Sequence, residues 1–169
     1  MSTDPVSTLP GSVPVPGRIP VAFLLDDGAT VMDFAGPWEV FQDTTVDSGQ
    51  AFTLFTVAPA AAPVQTEGNV IEGTVRGLSI SPDFTLEQAP QPEVIVIGAQ
   101  GGGQLPAKLE WIQCMAPGAD VVMSVCTGAF ILARTGLLDG LQATTHHGFF
   151  DAFENEFPKV TLGARAPVR

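Results

Sequence analysis

The residue of this sequence best placed to do chemistry is Cys126. It closes the apolar run Asp120–Val125 (DVVMSV) and is followed at once by Thr127-Gly128-Ala129, the start of a helical pattern of small residues. A strand that turns straight into a helix at a cysteine forms a nucleophile elbow, in which the tight turn pushes Sγ out at the edge of the sheet. Gly128 and Ala129 are small enough to let the helix lie close to the strand. The helix N-terminus is expected to lower the thiol pKa and to offer free N–H groups to a developing negative charge. The bland alternative is a buried cysteine acting as a small hydrophobe, and the elbow setting favours the reactive reading. Cys114, twelve residues earlier, lies inside an amphipathic helical pattern with no elbow and reads as an ordinary core or surface residue. The pair makes no CxxC motif and no zinc-ligand cluster, so no metal site is expected, and two cysteines make no disulfide scaffold.

A second chemical feature is the run Gly98-Ala99-Gln100-Gly101-Gly102-Gly103. Its glycines let backbone N–H groups approach a ligand, which makes Gly98, Gly101 and Gly102 candidates for a substrate or oxyanion loop. It is not a phosphate loop, because no Gly-Lys-[Ser/Thr] follows and Lys108 comes too late. Trp38 and Trp111 fall at apolar helical positions and read as core. Glu154 and Glu156 read as a solvated helix face.

These residues need a scaffold, and the hydrophobic pattern supplies one. Ile19–Leu25 is a short apolar run, broken by Asp26-Asp27-Gly28. Gly36-Pro37 before Trp38-Glu39-Val40-Phe41 predicts a helix start with Pro37 in the first turn. Phe52–Ala58 is a second strand. Val70–Val75 and Leu78–Ile80, split by Gly77, suggest a hairpin or a small excursion. Glu93–Ile97 is a fully apolar strand running into the glycine loop, followed by a helix over about Pro106–Ala116 that Pro117-Gly118 ends. Asp120–Val125 is the next strand, and Thr127–Thr135 a helix closed by Gly136. Ala143–Thr145 predicts a short strand, and Gly148–Phe157 a helix closed by Pro158. Alternating helices and apolar, non-alternating strands predict an α/β three-layer sandwich with a mainly parallel, flavodoxin-like sheet. Ligands in such sheets bind at the carboxyl ends of the strands, so the loops after Leu25, Ile97 and Val125 are the ones to watch.

The bulk properties set limits. A chain of 169 residues has room for one domain, read as Ile19–Arg169 behind a Pro/Gly/Ser-rich leader over residues 1–18. Seven basic residues against eighteen acidic ones give a net charge of −11, which argues against nucleic-acid and anionic-membrane partners. No apolar run approaches the roughly 18 residues needed to span a bilayer. Without a secretory signal or a disulfide framework, the cytoplasm is the expected location.

Three motifs, Ser124-Val125-Cys126-Thr127-Gly128-Ala129-Phe130 with Gly136-Leu137-Leu138-Asp139-Gly140, Ala143-Thr144-Thr145-His146, and Asp33-Phe34-Ala35-Gly36-Pro37-Trp38-Glu39-Val40-Phe41, resemble the ThiJ/PfpI superfamily with its class I glutamine-amidotransferase-like fold. The resemblance covers about Ile19 to Val160. It is nearest to isonitrile hydratases and to the ThiJ/PfpI-like domains of AraC-type transcription regulators. It implies a cofactor-free enzyme with Cys126 as nucleophile, Thr127 as a functional neighbour and Asp33 as the acidic group. A carboxyl beside a thiolate can hold the proton that an isonitrile carbon must gain. A helix N-cap is the plainer reading of Asp33. His146 matches a position that often pairs with the thiol but reads equally as a supporting residue, and His147 reads as structural. The glycine loop departs from the Pro-Gly-Gly-x-Gly of many relatives. The resemblance further implies a small-molecule substrate, a homodimer and a domain incomplete at its C-terminus. Two other functions stay open: a non-catalytic sensing domain, and another superfamily activity of the glyoxalase or amidase type.

Overall fold

The structure, a computed structural model, describes residues 15–47, 49–71 and 73–163. Most of the expected leader and the tail 164–169 lie outside the described residues.

Five parallel strands form the central sheet: β1 (Ile19–Leu24), β2 (Phe52–Ala58), β3 (Phe84–Thr85), β4 (Val94–Ile97) and β5 (Val121–Ser124). Their order is β5-β4-β1-β2-β3, with Val21 opposite Val94 and Leu24 opposite Ile97. The first connection leads from β1 to one side and a later one returns to the other. The sheet therefore has a switch point between β1 and β4, and this crevice is where α/β sheets bind ligands. Apart from the two-residue edge strand β3, which no sequence pattern announces, the order is that of a flavodoxin-like sheet.

Both faces are covered, which is why the strands read as continuous apolar runs. On one face Val21, Phe23, Val94 and Val96 pack against Phe34, Trp38 and Phe41 of α1 (Val31–Asp43). On the other, Leu24, Phe55, Val57, Ile95 and Ile97 pack against Trp111 and Ile112 of α2 (Leu105–Met115) and Ile131 and Leu132 of α3 (Gly128–Arg134). This is the expected three-layer arrangement. A small lobe follows. Gln142–Ala143 pairs in parallel with Thr161–Leu162, and α4 (Phe150–Glu156) puts Phe153 beneath α3.

Three local expectations need correction. The first helix begins at Val31, five residues before Gly36, so Pro37 lies inside it. Proline there deprives the Asp33 carbonyl of its helical donor and ordinarily costs ~3 kcal/mol or more. The aromatic stripe Phe34–Trp38–Phe41 on Phe23 holds the helix across it, with ring centroids 5.0 Å apart for Phe23–Trp38. The short strand expected at Ala143–Thr145 lies at Gln142–Ala143, outside the main sheet. The excursion after β2 contains a hairpin, Asn69–Ile71 with Thr74–Arg76, and a separate pair, Val64–Gln65 with Ser79–Ile80.

Candidate functional site

Cys126 sits between the last residue of β5 and the first of α3 with φ +57°, the left-handed region. A side chain other than glycine is strained there, at a cost of ~1–3 kcal/mol. Neighbouring contacts impose the turn. Val125 N–H donates to the Ile97 carbonyl at 2.9 Å, Gly128 N–H to the Val125 carbonyl at 3.0 Å, and the Thr145 hydroxyl to the Cys126 carbonyl at 3.0 Å. A Cβ at Gly128 would lie 2.1 Å from the Ile97 carbonyl oxygen, so only glycine lets α3 press this closely on the end of β4.

Asp33 comes to the same place from the other side of the switch point. It lies in the first turn of α1, and Thr30 occupies the N-cap position, so the N-cap reading of Asp33 does not hold. The carboxylate is buried and Oδ2 accepts from Ala99 N–H at 2.9 Å, while Thr30 N–H donates to the Ala99 carbonyl at 2.9 Å. Gly98 makes this approach possible, since a Cβ on it would stand 2.9 Å from the Asp33 Cβ.

The Asp33 carboxylate acts on the Cys126 thiol both by charge and by hydrogen bonding. The thiol pKa lies above its ordinary 9.0: burial raises it most, the Thr127 N–H lowers it, and the Asp33 charge and hydrogen bond raise it further, with the Thr127 hydroxyl opposing. The lowering expected from a helix N-terminus is therefore outweighed. Desolvation and a neighbouring carboxylate both favour the neutral thiol. Both influences keep the thiol protonated rather than maintaining a free thiolate.

Beside these groups lies a cavity of about 390 Å³ lined by Gly28, Thr30, Glu67, Ala99, Gln100, Gly101, Cys126, Thr127, His146 and Phe149. The loop glycines divide their tasks differently from expectation. Gly101 lines this cavity, but its N–H is engaged by the Asp27 carbonyl at 2.8 Å and is not a free oxyanion donor. Gly102 faces a neighbouring cavity with Arg134 and Phe130. Gly98 serves as the clearance behind Asp33. His146 lines the Cys126 cavity. Its Nδ1 accepts from Gly148 N–H at 3.2 Å, and its ring stacks on His147 at 4.3 Å. Glu156 is exposed, as expected of a solvated helix face, and pairs there with Arg134.

Several contributors escaped the sequence reading. Lys108 is fully buried, and its Nζ donates to Asp26 Oδ2 at 2.7 Å and to the Gly101 carbonyl at 2.9 Å, so α2 is bolted to the loops after β1 and β4. The available signal is a lysine four residues before Ile112, on the buried face of the helix. Thr145 adjoins His146 in a motif already noticed. Nothing in the local pattern marks Thr30 or Glu67. Among the described residues no group of three or more His, Cys, Asp or Glu side chains could hold a metal ion, and no helix is long and apolar enough to cross a membrane.

A parallel switch-point sheet with cysteine and aspartate meeting at its carboxyl edge defines a class, and comparison with known sequences agrees. The chain belongs to the DJ-1/PfpI family, which it matches over residues 20–161. It is 32% identical over 153 residues to isonitrile hydratase of Pseudomonas putida, covering 88% of this chain and 58% of that protein. It is 27% identical over 165 residues to the HTH-type transcriptional regulator GbdR of Pseudomonas aeruginosa, covering 95% of this chain and 43% of that one. The chain thus spans about half the length of these relatives. A ThiJ/PfpI family protein from Pseudomonas syringae superposes with a TM-score of 0.69 at 30% identity, over 97% of this chain and 66% of that one.

Proposed function

We propose that this chain is a cofactor-free, cysteine-dependent lyase that hydrates an isonitrile to an N-substituted formamide. The observation that carries the reading is a Cys126 thiol lining a cavity of small-molecule size, with the buried Asp33 carboxylate held behind the cavity wall at Ala99 and acting on the thiol's titration. An isonitrile carbon accepts a nucleophile only as it gains a proton, and a protonated thiol beside a carboxylate can deliver both. Sγ forms a bond to the terminal carbon while the thiol proton passes by way of Asp33 to that carbon, giving a thioimidate, R–N=CH–Sγ. Water adds across the C=N bond. The resulting carbon centre expels the Cys126 sulfur, which regains a proton, and R–NH–CHO leaves. Thr127, whose N–H and hydroxyl both favour the thiolate, steadies the sulfur as the proton moves. His146 supports the cavity wall. The steps balance with water as the only co-reactant. The similarity to isonitrile hydratase supports the same reading.

A second reading, a small-molecule sensing domain without turnover, draws on the similarity to GbdR. Formamide formed from a panel of alkyl and aryl isonitriles supports hydration. Saturable binding of those isonitriles without formamide favours sensing, and glyoxalase or amidase turnover in its place points to the remaining family-type activities. A cytoplasmic homodimer acting on a small molecule is the setting this proposal assumes, and size-exclusion chromatography with light scattering tests the dimer.

A further inference from the structure

A second cavity adjoins the one at Cys126. It has a volume of about 320 Å³ and shares Gln100, Gly101, Thr127 and Phe149 with the first. The two differ in their remaining walls. The Cys126 cavity presents Thr30, Glu67 and His146, and Phe149 is the single large apolar side chain among its lining residues. The second cavity adds Leu105, Phe130 and Ile131 to Phe149. Phe149 stands at the border of both. It is 47% exposed, and its ring meets Phe130 edge-on with centroids 6.2 Å apart. An apolar ring with half its surface in water gains when the apolar part of a ligand covers it.

One face of α3 forms a wall of the second cavity. Thr127, Phe130, Ile131 and Arg134 all line it, and spacings of three, four and seven residues put them on one side of a helix. Seven residues advance about 10 Å along the axis. The cavity therefore runs from the residue after the nucleophile to Arg134. The guanidinium at that end is committed. It pairs with Glu156 and lies over the rings of Phe130 and Phe157, 5.9 and 5.8 Å from their centroids. Its charge is answered within the protein, so the cavity suits an apolar group better than an anion.

We propose that this second cavity holds the substituent R of the isonitrile, and that Leu105, Phe130, Ile131 and Phe149 select a compact apolar ring, cyclohexyl or aryl, over methyl. This rests on the hydration reading. With its terminal carbon at Sγ, a linear R–N≡C carries R away from the thiol. The polar cavity then keeps the reacting carbon and the attacking water, while R lies past Phe149 against the apolar walls. Each methylene taken out of water is worth roughly fourfold in binding. R keeps this contact from the bound substrate through to the product, so the selection acts on KM far more than on kcat.

The test compares wild type, Leu105→Ala and Phe149→Ala. Leu105 is the sharper probe, because it lines the second cavity and not the first. The measurements are steady-state hydration of cyclohexyl and methyl isocyanide, and calorimetric binding of N-cyclohexylformamide and N-methylformamide. Wild type is expected to favour the cyclohexyl substrate at least about tenfold in kcat/KM, through KM. Each variant is expected to cut that preference severalfold by raising KM for the cyclohexyl substrate alone. Thermal unfolding identifies a variant that does not fold, and the other then carries the comparison. A wild-type preference near one would overturn the assignment, and so would variants that lower both substrates equally. If wild type hydrates neither isonitrile, the hydration reading fails by itself and the formamide arm still decides on the cavity. Tighter binding of N-cyclohexylformamide by wild type, weakened in the variants, then upholds the apolar subsite. Equal binding of the two formamides, or none of either, removes it.

Discussion

Ala99 N–H donates to Asp33 Oδ2 at 2.9 Å, joining the first turn of one helix to the loop that leaves a strand more than sixty residues later. Asp33 is therefore not positioned by its own helix alone. Its carboxylate is aimed by the carboxyl end of β4, the same strand end on which Gly128 rests to set the Cys126 turn. Thiol and carboxylate are registered against each other through Ile97, Gly98 and Ala99.

Removing the carboxylate charge has a readable consequence. In a Cys114→Ser background, the alkylation of Cys126 by iodoacetamide is expected to rise with pH through a midpoint above the ordinary thiol value of 9.0, because burial and Asp33 both favour the protonated form. Asp33→Asn takes away a raising influence, so the midpoint moves down and alkylation at neutral pH speeds up, while hydration is lost. A midpoint that stays put would separate Asp33 from the thiol.

The two close-approach glycines should fail in different ways. Gly128→Ala places a methyl 2.1 Å from the Ile97 carbonyl oxygen, backbone against backbone, and is expected to destabilise the fold by ~1–3 kcal/mol or more, seen as a drop in the urea midpoint. Gly98→Ala brings its methyl 2.9 Å from the Asp33 Cβ, so its larger effect falls on hydration. Gly102→Ala, which meets nothing within 4 Å, is the control for both.

Much of this was legible in the sequence, and the boundary has a physical basis. Strands at Ile19–Leu24, Phe52–Ala58, Val94–Ile97 and Val121–Ser124 are apolar because both faces are covered, and that leaves a direct trace. The Cys126 turn was legible because glycine and alanine must follow it. The start of α1 was not, since Pro37 is a strong local signal and the tertiary packing of Phe34, Trp38 and Phe41 overrides it. The free Gly101 N–H expected of a glycine loop was also not found, because the bond that uses it comes from Asp27, far away in sequence. The thiol pKa went against the local helix argument for the same reason: burial and Asp33 are properties of the assembled site.

The buried ion pair offers a test of the loop anchor. Lys108→Met leaves Asp26 without its partner and is expected to cost ~3–5 kcal/mol, whereas replacing both residues with apolar ones of similar volume recovers much of that loss. Chemical denaturation of the single and double variants checks it. Loss of activity in the double variant, with its stability restored, would show that the bond from Nζ to the Gly101 carbonyl serves the site as well as the fold.

Thr145→Val deletes the hydroxyl that donates to the Cys126 carbonyl at 3.0 Å while keeping the side chain's shape. A loss of ~1 kcal/mol in stability is expected, together with a fall in kcat at unchanged KM, because the strained turn loses one of its holders. Unchanged kinetics would mean that the turn is held without it.

The central claim is that Cys126 itself forms the bond to the isonitrile carbon. The direct measurement is the rate of N-cyclohexylformamide formation from cyclohexyl isocyanide by wild type, Cys114→Ser and Cys126→Ser, read by chromatography with mass detection. The account predicts formamide from wild type and from Cys114→Ser at similar rates, and only background from Cys126→Ser. Formamide from Cys126→Ser at the wild-type rate would contradict it.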